Sequence, residues 1–133
     1  MDDLPTPTAR EMEILKLLWE NGPSSVREVH RRLVEANPDD HDLAYNTAQT
    51  LLRLMEAKGL VGHLVAGRSF IYSPRFSRDE SARRFLDRVF DGAASQLMLS
   101  LLRSEQISPD ELERMHALIA EARRTRPSQE KSR

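Results

Sequence analysis

The sequence contains no cysteine. Disulfides, thiolate metal sites and a cysteine nucleophile are therefore excluded, and the chain suits a reducing compartment without being restricted to one. No apolar run approaches the roughly 18 residues that a membrane span needs, so membrane insertion is not expected. The opening stretch, MDDLPTPTAR, is acidic and polar and lacks the basic-then-apolar order of a signal peptide. A glycine-rich phosphate loop is missing too. The histidines, His30, His41, His63 and His116, show no metal-ligand spacing. No pair of carboxylates stands beside a recognisable base. These gaps argue against an enzyme and imply neither a metal nor a cofactor.

What is present is a soluble, globular composition of 39% hydrophobic and 31% charged residues over 133 positions, enough for one small core with an appendage. The net charge of −1 argues against indiscriminate binding to nucleic acid. Its distribution is uneven. Over residues 44–76 the basic residues Arg53, Lys58, Arg68 and Arg75 face only one acid, Glu56. Just before that window, Asp39, Asp40 and Asp42 form an acidic connector that is expected to stay in solvent.

The segment AYNTAQTLLRLMEAKGL, residues 44–60, has the most telling pattern. Ala48, Leu51, Leu52 and Met55 recur at helical spacing and form one apolar face. Asn46, Thr50, Arg53 and Ala57 fall on the opposite side, flanked by Thr47 and Gln49. Gly59 after Lys58 is a left-handed stop. Asn and Gln can pair with an adenine edge, Arg with guanine or a phosphate, and Thr with a phosphate or a thymine methyl. Taken alone, this could be an ordinary surface helix. Its flanks favour a DNA-reading module.

Upstream, Thr8 with Glu11 fits a capping box that opens a first helix burying Met12, Ile14, Leu15, Leu18 and Trp19. Asn21-Gly22-Pro23 ends it. Ser25 with Glu28 repeats the cap, and a second helix buries Val26, Val29 and Leu33. Its first turn would expose backbone N–H groups and the Ser24 and Ser25 hydroxyls, an end that can hold a DNA phosphate. Plain N-capping explains the serines equally well. Downstream, LVGHLVAGRSFIYSP changes to strand-like periodicity around an Ala66-Gly67-Arg68 turn. His63 is expected to be a packed side chain. Three helices and a hairpin, in that order, predict a winged helix-turn-helix. The third helix would enter the major groove, and Arg68 on the wing would meet phosphate or the minor groove.

From residue 81 the helical pattern returns. Phe85, Leu86, Val89, Phe90, Leu97, Met98 and Leu101 recur at three- and four-residue steps, broken at Asp91-Gly92. Ser108-Pro109-Asp110-Glu111 opens a last helix with Leu112, Met115 and Ile119 on one face. So much apolar surface needs a partner. Each buried Phe or Leu contributes roughly 1.5–3 kcal/mol, and a second copy of the chain would supply the surface while doubling any DNA contacts. The competing arrangement packs these helices back on their own N-terminal domain. The expected organisation is a mainly α protein with a small β-hairpin. A winged-helix DNA-binding domain spans 1–76, a helical dimerisation domain 77–126 and a disordered tail 127–133.

In the order and spacing of its pieces the chain resembles the penicillinase-repressor family, which includes the beta-lactamase and methicillin-resistance repressors. The matching pieces are Thr8-Ala9-Arg10-Glu11 through Leu18-Trp19, then Ala44-Tyr45-Asn46-Thr47, Thr50-Leu51-Leu52 and Lys58-Gly59-Leu60-Val61. Gly67-Arg68 to Tyr72, Phe90-Asp91-Gly92, Leu97-Met98-Leu99 and Ser108-Pro109-Asp110-Glu111-Leu112 complete the set. The resemblance implies a cytoplasmic homodimer on a palindromic operator that blocks transcription. It also implies, for the beta-lactam branch, a membrane-bound sensor protease linked to release. The family's cleaved Asn-Phe bond falls on Ser100-Leu101, and this chain differs at both residues. A copper-responsive branch senses metal through C-terminal cysteines, which this chain lacks. The other function weighed is a winged helix that binds protein and never touches DNA.

Overall fold

The computed structural model describes residues 6–126. The expected tail, 127–133, and the first five residues lie outside the described residues. Among the described residues six helices and three strands follow in the order α1 (Ala9–Asn21), β1 (Ser24–Ser25), α2 (Val26–Ala36), α3 (Tyr45–Ala57), β2 (Val61–Ala66), β3 (Ser69–Pro74), α4 (Arg78–Phe90), α5 (Ala94–Arg103) and α6 (Pro109–Thr125). The chain divides into two compact units between Ala82 and Arg83, inside α4.

Local chemistry sets the helix limits in the first unit. Both N-terminal capping boxes are complete. The Thr8 hydroxyl accepts from the Glu11 N–H while the Glu11 carboxylate accepts from the Thr8 N–H, and Ser25 and Glu28 repeat the exchange. α3 starts without a side-chain cap, because Ala44 stands at its N-cap. It ends on Gly59 at φ 85°, with Leu60 N–H bonding Met55 O and Gly59 N–H bonding Glu56 O. Those two bonds occupy carbonyls that the helix end would leave open.

The three helices bury one stripe each. Ile14, Leu15 and Leu18 from α1, Val29 and Leu33 from α2, and Ala48, Leu52 and Met55 from α3 form a single core with Leu60, Val61 and Tyr72. Met12, Trp19 and Leu51 are half-buried against it. The Trp19 indole N–H donates to the Phe76 carbonyl at 3.0 Å, and the Arg78 guanidinium lies 5.7 Å from the ring centroid. The sole tryptophan thus anchors the end of the sheet segment to α1.

The hairpin is larger than the sequence suggests. β3 lies between β2 and the two-residue β1, in the order β1-β3-β2, all antiparallel. Ser24 pairs with Tyr72 and Ser25 with Ile71. This third strand overturns one expectation. Ser24 does not offer its hydroxyl to a ligand: it is buried, donating to the Gly22 carbonyl at 2.9 Å and accepting from Arg32 at 3.1 Å. A two-residue strand has no periodicity to detect, so only the sheet register exposes it. Asp40 likewise leaves the solvated connector to bond Arg10 at 2.6 Å.

The second unit is built from the rest of α4 with α5 and α6. α4 and α5 are separate helices, parted at Asp91 and Gly92, which take φ of 52° and 81°. Ser108 caps α6 by accepting from the Glu111 N–H, and Pro109 fills the first turn. The Glu111 carboxylate does not complete the box but pairs with Arg114 at 3.0 Å. None of these three helices has a buried residue.

Candidate nucleic-acid interface

α3 is sealed on one side and open on the other. Ala48, Leu52 and Met55 are 0–1% exposed, whereas Asn46, Thr50, Arg53, Leu54 and Ala57 face solvent. Thr47 and Gln49 are half-buried at the edge, and the Thr47 hydroxyl makes a long 3.5 Å bond to the Asp42 carbonyl. The start of the helix is held from α2. His30 Nε2 donates to the Leu43 carbonyl at 2.7 Å, and the His30 ring meets Tyr45 edge-on at 6.1 Å.

Glu56, the one acid of α3, lies on the wing side of the helix and is held there by His63. Both its oxygens accept from His63 Nδ1 at 2.8 Å, and the His63 ring stacks on Phe70 at 4.1 Å. This contact ties the end of α3 to the wing and uses His63 as a packed side chain. The wing turns at Gly67, whose φ of 62° suits a glycine-first two-residue hairpin loop, with Arg68 beside it at the tip.

Between the start of α2, the middle of α3 and the wing lies a cleft of about 530 Å³. It brings together Ser25, Gln49, Arg53 and Arg68 from the sequence-predicted set. Asn46, Thr47 and Thr50 do not line it. Arg27, Tyr45, Phe70 and Tyr72 do, and sequence patterning passed over them as DNA-facing residues. For Arg27 a signal existed. A cation in the first turn of a helix opposes the macrodipole, so its presence there calls for a reason. Among the described residues Arg27, Arg53 and Arg68 have no carboxylate partner. Burial pushes the Tyr72 phenol above its ordinary pKa, Glu56 adds to that and Arg53 works against it, so the hydroxyl is a neutral donor near neutral pH.

In the second unit, Phe85, Val89, Leu101, Leu112 and Ile119 are 40–52% exposed. Leu86, Phe90, Leu97, Met98 and Met115 are half-buried. Ser100 and Leu101 lie inside α5, both exposed. Among the described residues no cluster of acids and histidines could hold a metal, and no helix is long and apolar enough to cross a membrane.

Three core helices, a short sheet and a wing beside an open third helix define a winged helix-turn-helix protein. A model of the penicillinase repressor family matches residues 7–121, and the chain belongs to that family. It is 25% identical over 125 residues to the penicillinase repressor of Bacillus licheniformis, covering 91% of this chain and 94% of that protein. It is 30% identical over 116 residues to the transcriptional regulator BlaI of Mycobacterium tuberculosis, covering 84% and 80% of the two chains. The solution structure of the DNA binding domain of the repressor BlaI matches with a TM-score of 0.50 at 26% identity, over 60% of this chain and 93% of that domain. Family and fold are those of transcriptional repressors, which are not enzymes.

Proposed function

We propose that this protein represses transcription by binding a palindromic operator in double-stranded DNA as a homodimer. The observation that carries the proposal is the two-sided α3, its apolar face sealed and its polar face open beside the wing arginine. Asn46, Thr47, Gln49 and Thr50 would meet base edges, with Arg53, Arg68 and the start of α2 at Ser25 along the backbone. Support for the dimer comes from the exposed apolar side chains of α4–α6, helices without a single buried residue. The two half-sites would then lie about one helical turn, or a multiple, apart. A membrane-bound sensor protease is the release route the family resemblance implies. In this chain the bond at which the family is cut corresponds to Ser100–Leu101, which sits within a helix and carries neither family residue. Intact mass after induction would detect such a cut.

The test is a fluorescence anisotropy titration against duplex from the chain's own upstream region at several salt concentrations. Binding that weakens with salt is expected. Arg53→Ala should lower the affinity and flatten the salt slope by about one, the share of a single phosphate contact. A protein-binding adaptor would bind no duplex under any of these conditions, and that result would overturn the proposal.

A further inference from the structure

Two observations on the cleft go beyond a generic groove-reading helix. The first is Tyr72. Its side chain is packed in the core at 2% exposure, yet it lines the cleft and makes no hydrogen bond to any described residue. Among the described residues no buried side-chain oxygen or nitrogen lacks a partner, so the phenolic oxygen is open to the space beside it. Buried tyrosines ordinarily find an acceptor. The second is the charge. Three arginines from three different elements, Arg27, Arg53 and Arg68, converge on one space without a carboxylate among them. Arg27 stands in the first turn of α2, where the helix dipole already disfavours a cation. An anion in the cleft resolves all of these at once. It accepts from Tyr72, neutralises the arginines and lies at the positive end of α2.

We infer that the cleft is a clamp for one backbone phosphodiester of DNA, with Arg27 and Tyr72 as contact residues alongside Arg53 and Arg68. This rests on the DNA-binding function proposed above. It divides the interface into two parts. The arginines and Tyr72 of the cleft fix the position of the duplex without reading sequence, while Gln49 on the same lining and Asn46, Thr47 and Thr50 outside it are left to face base edges. Arg53 belongs to the backbone part.

The test compares the wild-type protein with Arg27→Gln and Tyr72→Phe on two duplexes, one from the upstream region and one unrelated. Arg27 is exposed and Phe keeps the packing of Tyr72, so both variants should match wild type in circular dichroism and melting. Arg27→Gln should weaken binding to both duplexes by the same factor, about tenfold, and lower the salt slope by about 0.9. Tyr72→Phe should weaken both by roughly threefold with the slope unchanged, because a neutral donor releases no counterion. Single methylphosphonate substitutions along the duplex should reveal one position per half-site where wild type loses affinity and Arg27→Gln loses no more. Equal affinity of variants and wild type would overturn the clamp while leaving DNA binding intact. So would a loss confined to the upstream duplex, which would mean base contact. Failure of the wild type to bind either duplex would overturn the clamp and the proposed function together. The methylphosphonate series also separates a DNA phosphodiester from a free anion, since a site for free phosphate would show no positional effect.

Discussion

Lys58→Met tests whether a buried ion pair fixes the position of α3. Glu11 is 1% exposed, with its carboxylate held by the Lys58 ammonium at 2.8 and 2.9 Å and by the Thr8 N–H at 2.9 Å. Lys58 is the C-cap of α3 and Glu11 lies in the first turn of α1, so the pair bridges two helices. Burial pushes the Glu11 carboxyl up, but Lys58 and Thr8 together hold it below the ordinary glutamate value. Removing the cation leaves a buried charge without its counterion, a change that costs about 3–5 kcal/mol. The Lys58 side chain is 30% exposed, and Thr8 still bonds the carboxylate in the variant, which favours the lower end, about 3 kcal/mol. At about 4–8 °C per kcal/mol for a domain of this size, melting should fall by about 12–24 °C near pH 7.

The pH dependence gives a sharper check. In the wild type a depressed carboxyl contributes stability above the unfolded glutamate range, and that contribution is lost as pH falls through the folded value. In Lys58→Met, desolvation is no longer opposed by the ammonium. The folded carboxyl should rise above its unfolded value, giving a contribution that is present at low pH and lost as pH rises. Urea denaturation between about pH 7 and pH 4.5 should therefore show the gap between the two proteins narrowing on acidification. A loss below about 1 kcal/mol, the scale of a surface pair, or a gap that stays constant with pH would refute the argument.

Other substitutions probe separate parts of the molecule. Ser25→Ala removes the hydroxyl that caps α2 and should cost about 1 kcal/mol in urea denaturation. Its duplex affinity should fall less than that of Arg53→Ala. Ile119→Asp places a charge on the exposed apolar face of α6 and should halve the mass seen by light scattering while leaving the melting of the first unit unchanged. A dimer that survives this change, and Phe85→Asp as well, would remove that face from the interface.

Much of the local architecture was legible because its causes are local. Thr8 with Glu11, and Ser25 with Glu28, act across three residues, and Gly59 acts on the turn just before it. The two faces of α3 follow from the helical period alone, and the structure keeps Asn46, Thr50 and Arg53 on the open side. Capping misleads at Glu111, where Arg114 competes one turn away, and a Ser77–Glu80 box opens α4 three residues before the expected helical pattern.

The sequence by itself determined where most of the helices start and stop, α4 excepted, and which stripe of each is apolar. Those properties depend on neighbours within one turn. Tertiary structure alone decided which distant groups meet. Glu11 and Lys58 stand 47 positions apart. Ser24 is buried only because β3 runs beside it. Arg27, Arg53, Arg68 and Tyr72 share a cleft only once α2, α3 and the wing have packed around one core. No periodicity carries such pairings, since they are fixed by how the elements bury their apolar faces against each other.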